Sequence, residues 1–160
     1  YNTYTSNGVQ VVVYGFNINN TQTALYAKDG GVDLKGVGIA SDPANEINAT
    51  QYIQLDMQNI NNTLNDGSIP TFTIDSVQQG NGLNIYGSNT LGSIGTLLST
   101  VIATDNSAIS RTVNVPTYTL NKHNPLYKAR YVSISGTGDV NTPTANVLLH
   151  LLNASLCLQC

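Results

Sequence analysis

The chain has 160 residues, of which 9% are charged, with six Lys or Arg against nine Asp or Glu and a net charge of −3. That length suits one domain able to bury roughly 70% of its unfolded surface. The basic residues Lys28, Lys35, Arg111, Lys122, Lys128 and Arg130 form no run, which argues against nucleic acid as a partner. Apolar runs such as residues 147–152 fall far short of a membrane span of ~20 residues.

In place of charge, Asn, Ser and Thr supply 51 residues, a surface of amides and hydroxyls that suits a secreted β protein. The chain opens at Tyr1 without Met or a hydrophobic leader, so the expected location is extracellular or at the cell surface, with a signal peptide removed. Residues 1–20 carry no acid or base, and Val9, Val11 and Val13 alternate with other residues at strand spacing. This segment reads as the first strand of the sheet, or as a strand donated to a neighbouring copy with those three valines as its assembly contacts. Residues 21–160 then form the β-sandwich domain.

The loop Ser41-Asp42-Pro43-Ala44-Asn45-Glu46-Ile47-Asn48 gathers two carboxylates and two amides. Oxygen-only sets of this kind are what Ca²⁺ needs, so Asp42 and Glu46 are candidate calcium ligands, although the ordered spacing of a calcium loop is missing and an Asp-Pro loop capped by Asn is more often a solvated turn. No other cofactor is indicated. Alternation resumes at Ile53, Leu55 and Met57, then at Phe72 and Ile74, with further strand runs at residues 83–86, 101–103, 109–115, 130–135 and 145–152. Turn chemistry separates them, as in Asn65-Asp66-Gly67 and Gly80-Asn81-Gly82. The pattern predicts an all-β chain, a single β-sandwich or jelly roll of about eight to ten antiparallel strands. The inward set is Val11, Val13, Ile53, Leu55, Phe72, Ile74, Leu83, Ile85, Val132, Ile134, Val147 and Leu149. One loose helical turn within residues 90–100 is the best helix candidate, weakened by Gly92 and Gly95.

No catalytic pattern emerges. The run Leu91-Gly92-Ser93-Ile94-Gly95 lacks the G-x-S-x-G spacing, and neither His falls in a triad order. Nine tyrosines are better candidates for contact, since their rings stack on sugars or pack on other subunits. Tyr86 and Asn89, where a strand runs into a Gly-Ser-Asn loop, are the candidate ligand-binding pair. Asn19, Asn48, Asn61 and Asn153 head Asn-x-Ser/Thr sequons, the number expected by chance in so Asn-rich a chain. Cys157 and Cys160 read as a terminal disulfide or an intersubunit link, with free thiols and a metal site as alternatives.

Taken in order, Gly36-Val37-Gly38-Ile39-Ala40, Glu46-Ile47-Asn48, the run YIQLDM at 52–57, Phe72-Thr73-Ile74-Asp75, Ile85-Tyr86-Gly87-Ser88-Asn89 and Arg130-Tyr131-Val132-Ser133-Ile134 resemble bacterial exported proteins of the PEP-CTERM type over residues 36–152. The stretch from YIQLDM to ARYVSIS is also distantly similar to discoidin or galactose-binding jelly rolls. The resemblance implies export and association with extracellular polysaccharide and surface matrix. The reading is therefore a non-catalytic extracellular structural protein whose partners are copies of itself in a fibre, filament or matrix. A carbohydrate-binding module of the same fold, taking extracellular polysaccharide, is the alternative.

Overall fold

A computed structural model describes residues 1–6, 8–31, 35–63, 71–105, 111–114, 129–138 and 147–153. Strand alternation dominates it, as β-branched residues and Tyr spaced by two favour. The strands are β1 (Asn2–Ser6), β2 (Val9–Asn17), β3 (Gln22–Thr23), β4 (Leu25–Asp29), β5 (Lys35–Ile39), β6 (Gln51–Asp56), β7 (Thr71–Asp75), β8 (Gly82–Ser88), β9 (Thr96–Ile102), β10 (Arg111–Asn114), β11 (Tyr131–Gly136) and β12 (Leu148–Asn153), with one short helix, α1 (Gln58–Thr63). These twelve strands exceed the eight to ten expected, because β1, β3 and the β4–β5 hairpin carry too little apolar alternation to be read from sequence.

The strands form an all-β sandwich of two antiparallel sheets. A seven-stranded sheet runs β1-β2-β6-β11-β8-β9, with β3 also paired to β2, and a five-stranded sheet runs β10-β7-β12-β5-β4. The chain alternates between them: β1, β2 and β3 in the first, the β4–β5 hairpin in the second, β6 in the first, β7 in the second, the β8–β9 hairpin in the first, then β10, β11 and β12 in turn. Successive elements thus fall in different sheets, and neighbouring strands come from distant segments. Folding of such a non-local topology is slow compared with a helical bundle of equal size.

Eleven residues of the predicted inward set, Val11, Val13, Ile53, Leu55, Ile74, Leu83, Ile85, Val132, Ile134, Val147 and Leu149, are buried in one cluster between the sheets. The side chain of Phe72 lies outside the described residues. Ile39, Ile47, Met57, Ile60, Val77 and Ala103 complete the cluster. Fully burying one such aliphatic side chain is worth about 1.5–3 kcal/mol.

The helix expectation is corrected in place and in kind. Residues 96–102 belong to β9, while Gly92 and Gly95 take φ of 76° and 81° in the preceding turn, a left-handed conformation that glycine adopts freely and a right-handed helix excludes. The helix forms instead at α1, whose sequence QNINNT has poor helix propensity. Asp56 Oδ1 accepts the Gln58 N–H at 3.1 Å, and Ile60 inserts into the end of the core, so local capping and tertiary burial override propensity. No helix among the described residues is long and apolar enough to cross a membrane.

Candidate functional site

The outer face of the seven-stranded sheet is built by the same alternation that fills the core. Register aligns Tyr14, Gln54, Ser133 and Tyr86 in one row across β2, β6, β11 and β8, and Asp56, Tyr131 and Ser88 in the next. A face turned away from the core is ordinarily wet, yet Tyr52, Gln54 and Ser133 have no accessible surface. Residues 89–95, between β8 and β9, close over them. Gln54 Nε2 donates to the Ser93 carbonyl at 2.9 Å and to Ser133 Oγ at 3.0 Å, while Gln54 Oε1 accepts the Gly92 N–H at 2.8 Å. The Tyr52 hydroxyl donates to Asn20 Oδ1 at 2.8 Å, with the Gly92 carbonyl 3.0 Å away.

An aromatic ladder links this closed patch to solvent. Ring centroids are 5.5 Å apart from Tyr1 to Tyr14, 6.3 Å from Tyr14 to Phe16 and 5.2 Å from Phe16 to Tyr52. Its outer end, Tyr1, is 73% exposed, and its inner end is fully buried. Burial accordingly pushes the Tyr52 phenol up to about 12, and raises that of Tyr14, where the negative charge of Asp56 adds to the effect.

Tyr86 is half-buried in its row and Asn89 is exposed beyond the strand end. Asn89 Oδ1 accepts the Arg130 N–H at 3.3 Å. Arg130 makes a two-pronged contact to Asp56, Nε to Oδ1 at 3.3 Å and Nη2 to Oδ2 at 3.0 Å, with its guanidinium 5.0 Å from the centre of the Tyr131 ring. Asn89 thus sits beside a partly exposed cation that is itself paired with Asp56.

The acidic loop between β5 and β6 is organised inward. Asp42 and Glu46 are both buried. Asp42 Oδ2 accepts the Ala44 and Glu46 N–H groups at 2.8 and 3.2 Å, and Oδ1 accepts Asn48 Nδ2 at 2.6 Å. Asn48 Oδ1 in turn accepts the Thr50 N–H at 2.7 Å and hydroxyl at 2.6 Å. Glu46 Oε1 receives the Lys28 ammonium at 2.7 Å, and both its oxygens lie 3.1 Å from the Ser76 hydroxyl. Calcium at these carboxylates would have to displace the N–H donors of the loop and the Lys28 charge. Among the described residues, no group of three or more His, Cys, Asp or Glu gathers as a metal centre. Lys28 and Ser76 were not foreseen, since nothing in the sequence signals a cation from one sheet edge meeting a loop eighteen residues on.

Val9, Val11 and Val13 lie on β2, which pairs with β1 on one side and β6 on the other; Val11 and Val13 are in the chain's own core and Val9 packs against it. Of the sequons, Asn19 is exposed, Asn61 donates Nδ2 to the Ala129 carbonyl at 3.2 Å, and Asn48 is buried with its amide committed to Asp42. A glycan on Asn48 is incompatible with this fold. Cys157, Cys160 and the side chain of Asn153 lie outside the described residues.

No protein-family model matches the chain, and no curated protein matches it either. The functional reading therefore rests on the sheet surfaces and edges themselves.

Proposed function

We propose that this chain is a non-catalytic extracellular structural protein that assembles with copies of itself into a fibre, filament or surface matrix. The observation that carries the reading is β1: a five-residue strand, NTYTS, at the edge of its sheet among the described residues, without charge or proline, whose described side chains are all exposed. Natural sheets guard such edges with Lys, Pro or bulges, because an unpaired row of N–H and C=O groups templates another chain. The low charge of the whole chain lowers repulsion between copies. Donation of β2 to a neighbour would first require Val11 and Val13 to leave their own core, an exchange of strands between copies, whereas addition at β1 opens nothing.

A carbohydrate-binding module is the second reading, favoured by the ring ladder that surfaces at Tyr1 and by Tyr86 and Asn89 beside Arg130. Sedimentation velocity of the purified protein over a rising concentration series, with electron micrographs of the same samples, separates the two. Concentration-dependent elongated species are expected. A chain that stays monomeric throughout, and that is instead retained by extracellular polysaccharide, overturns assembly and establishes the module.

A further inference from the structure

The two sheets differ in how they end. In the seven-stranded sheet the continuous path β1-β2-β6-β11-β8-β9 has six strands, each antiparallel to the next. Its two edges therefore run in opposite directions. A second copy placed alongside by translation and the usual sheet twist brings its β1 beside the first copy's β9 in antiparallel orientation, extending the alternation without a break. The other sheet has five strands, so its edges β10 and β4 run in the same direction, and a translated copy would meet it in parallel.

Side-chain chemistry divides the edges the same way. β4 carries Lys28 and Asp29, and β10 carries Arg111. β1 (NTYTS) and β9 (TLLSTVI) carry neither charge nor proline, and the one guarding feature on them is a bulge in β9, where the register against β8 skips Leu98. Of the seven large hydrophobic side chains exposed among the described residues, four lie on β9, on β1 or next to β1: Leu97 at 52%, Ile102 at 55%, Tyr4 at 42% and Tyr1 at 73%. Among the described residues no further strand pairs with the outer side of either one. At five residues β1 is shorter than the seven of β9, so all of it can lie along that strand.

From this we infer that the contact is heterologous and head-to-tail: β1 of one copy adds to β9 of the next, so that the seven-stranded sheets join into one continuous, open-ended sheet along a fibre. The inference rests on the self-assembly reading and names its partner surface. Main-chain hydrogen bonds hold the junction, and the exposed apolar side chains of β9 and the tyrosines at β1 are covered by it. Such a contact uses two different surfaces of each copy and does not close on itself, which generates filaments rather than dimers.

The test uses two variants of the whole chain. Thr3→Lys with Thr5→Lys charges the β1 edge at exposed positions, and Leu97→Lys with Ile102→Lys charges β9 where both side chains are more than half exposed. Circular dichroism checks that each retains the wild-type β signal, and sedimentation velocity reads association. Each variant alone is expected to be monomeric at concentrations at least tenfold above those at which the wild type elongates. An equimolar mixture should stop at dimers, since each variant retains one competent edge. Dimers of the β9 variant alone would show β1 pairing with β1 and overturn the head-to-tail contact. Wild-type-like polymers of either variant would overturn it in favour of strand exchange or another surface, as would a mixture that never dimerises. A wild type that never associates removes the self-assembly reading itself, and the inference with it. Amide hydrogen exchange on the assembled wild type gives a readout free of substitutions: protection should rise in β1 and β9 and stay unchanged in β4.

Discussion

Tyr52 shows how a residue on the outer face of a strand becomes structural. Its side chain points away from the sandwich core, yet it is fully buried between Phe16 and the turn at residues 89–95. Burial raises its pKa from 10 to about 12, so the folded state holds the phenolic proton more tightly than the unfolded chain does. Below pH 10 both states keep the proton and the contribution is complete; between pH 10 and about 12 the unfolded chain ionises first, and stability falls. Tyr52→Phe is expected to destabilise the fold at neutral pH by about 1 kcal/mol for the lost hydroxyl contact, read as a lower urea midpoint. Across that alkaline window it should decline less steeply than the wild type. Equally steep decline in both would show that another group controls the alkaline limb. The Lys28–Glu46 pair makes the complementary point: the carboxylate proposed as a metal ligand is held inside by a cation, and a buried charge whose partner is removed costs several kcal/mol.

At the scale of elements, the loop that holds Asp42 and Glu46 is pinned from below by Gly38 on β5. A Cβ there would run into the backbone carbonyl of Asn45, whose own φ of 56° leaves that peptide little freedom to move. Gly38→Ala should therefore destabilise the protein by about 2 kcal/mol or more, read as a lower denaturant midpoint, and should loosen the Asp42 and Glu46 hydrogen bonds with it. A variant as stable as the wild type would mean that the loop is not held by that contact. Strands with two-residue alternation, such as β2, β6, β8 and β11, were legible, because the face toward the core is aliphatic and the other is polar or aromatic, even in β6 and β11 where both faces are buried. β1 and β3, polar and at an edge, carry no such pattern. The helix at α1 was hidden because Ile60 is its one buried residue, and a single apolar position has no period. Asp42 was legible as a loop residue of consequence, but its partners were not, since hydrogen bonds to backbone N–H groups leave no trace in composition.

The whole molecule turns on the first sixteen residues, which serve the fold and the proposed assembly through different strands. β1 is exposed and contributes an edge, whereas β2 contributes Val11, Val13 and Phe16 to buried surface and pairs with β6 over six residues. Truncating a buried Val or Phe costs about 1–5 kcal/mol, so removing all three with their ladder costs as much as the ~5–15 kcal/mol that holds a typical domain together. Deletion of residues 1–16 should abolish the cooperative β fold, observed as loss of a sigmoidal denaturant transition. A synthetic peptide spanning Val9–Asn17, added in excess, should restore that transition, since the slot beside β6 asks only for a strand of the right alternation and does not require a covalent link. Rescue would establish that the slot accepts a strand in trans, the physical requirement for donation between copies. A truncated chain that folds without the peptide would show that β2 is dispensable to the sandwich, and would detach both routes to assembly from the core that the structure gives it.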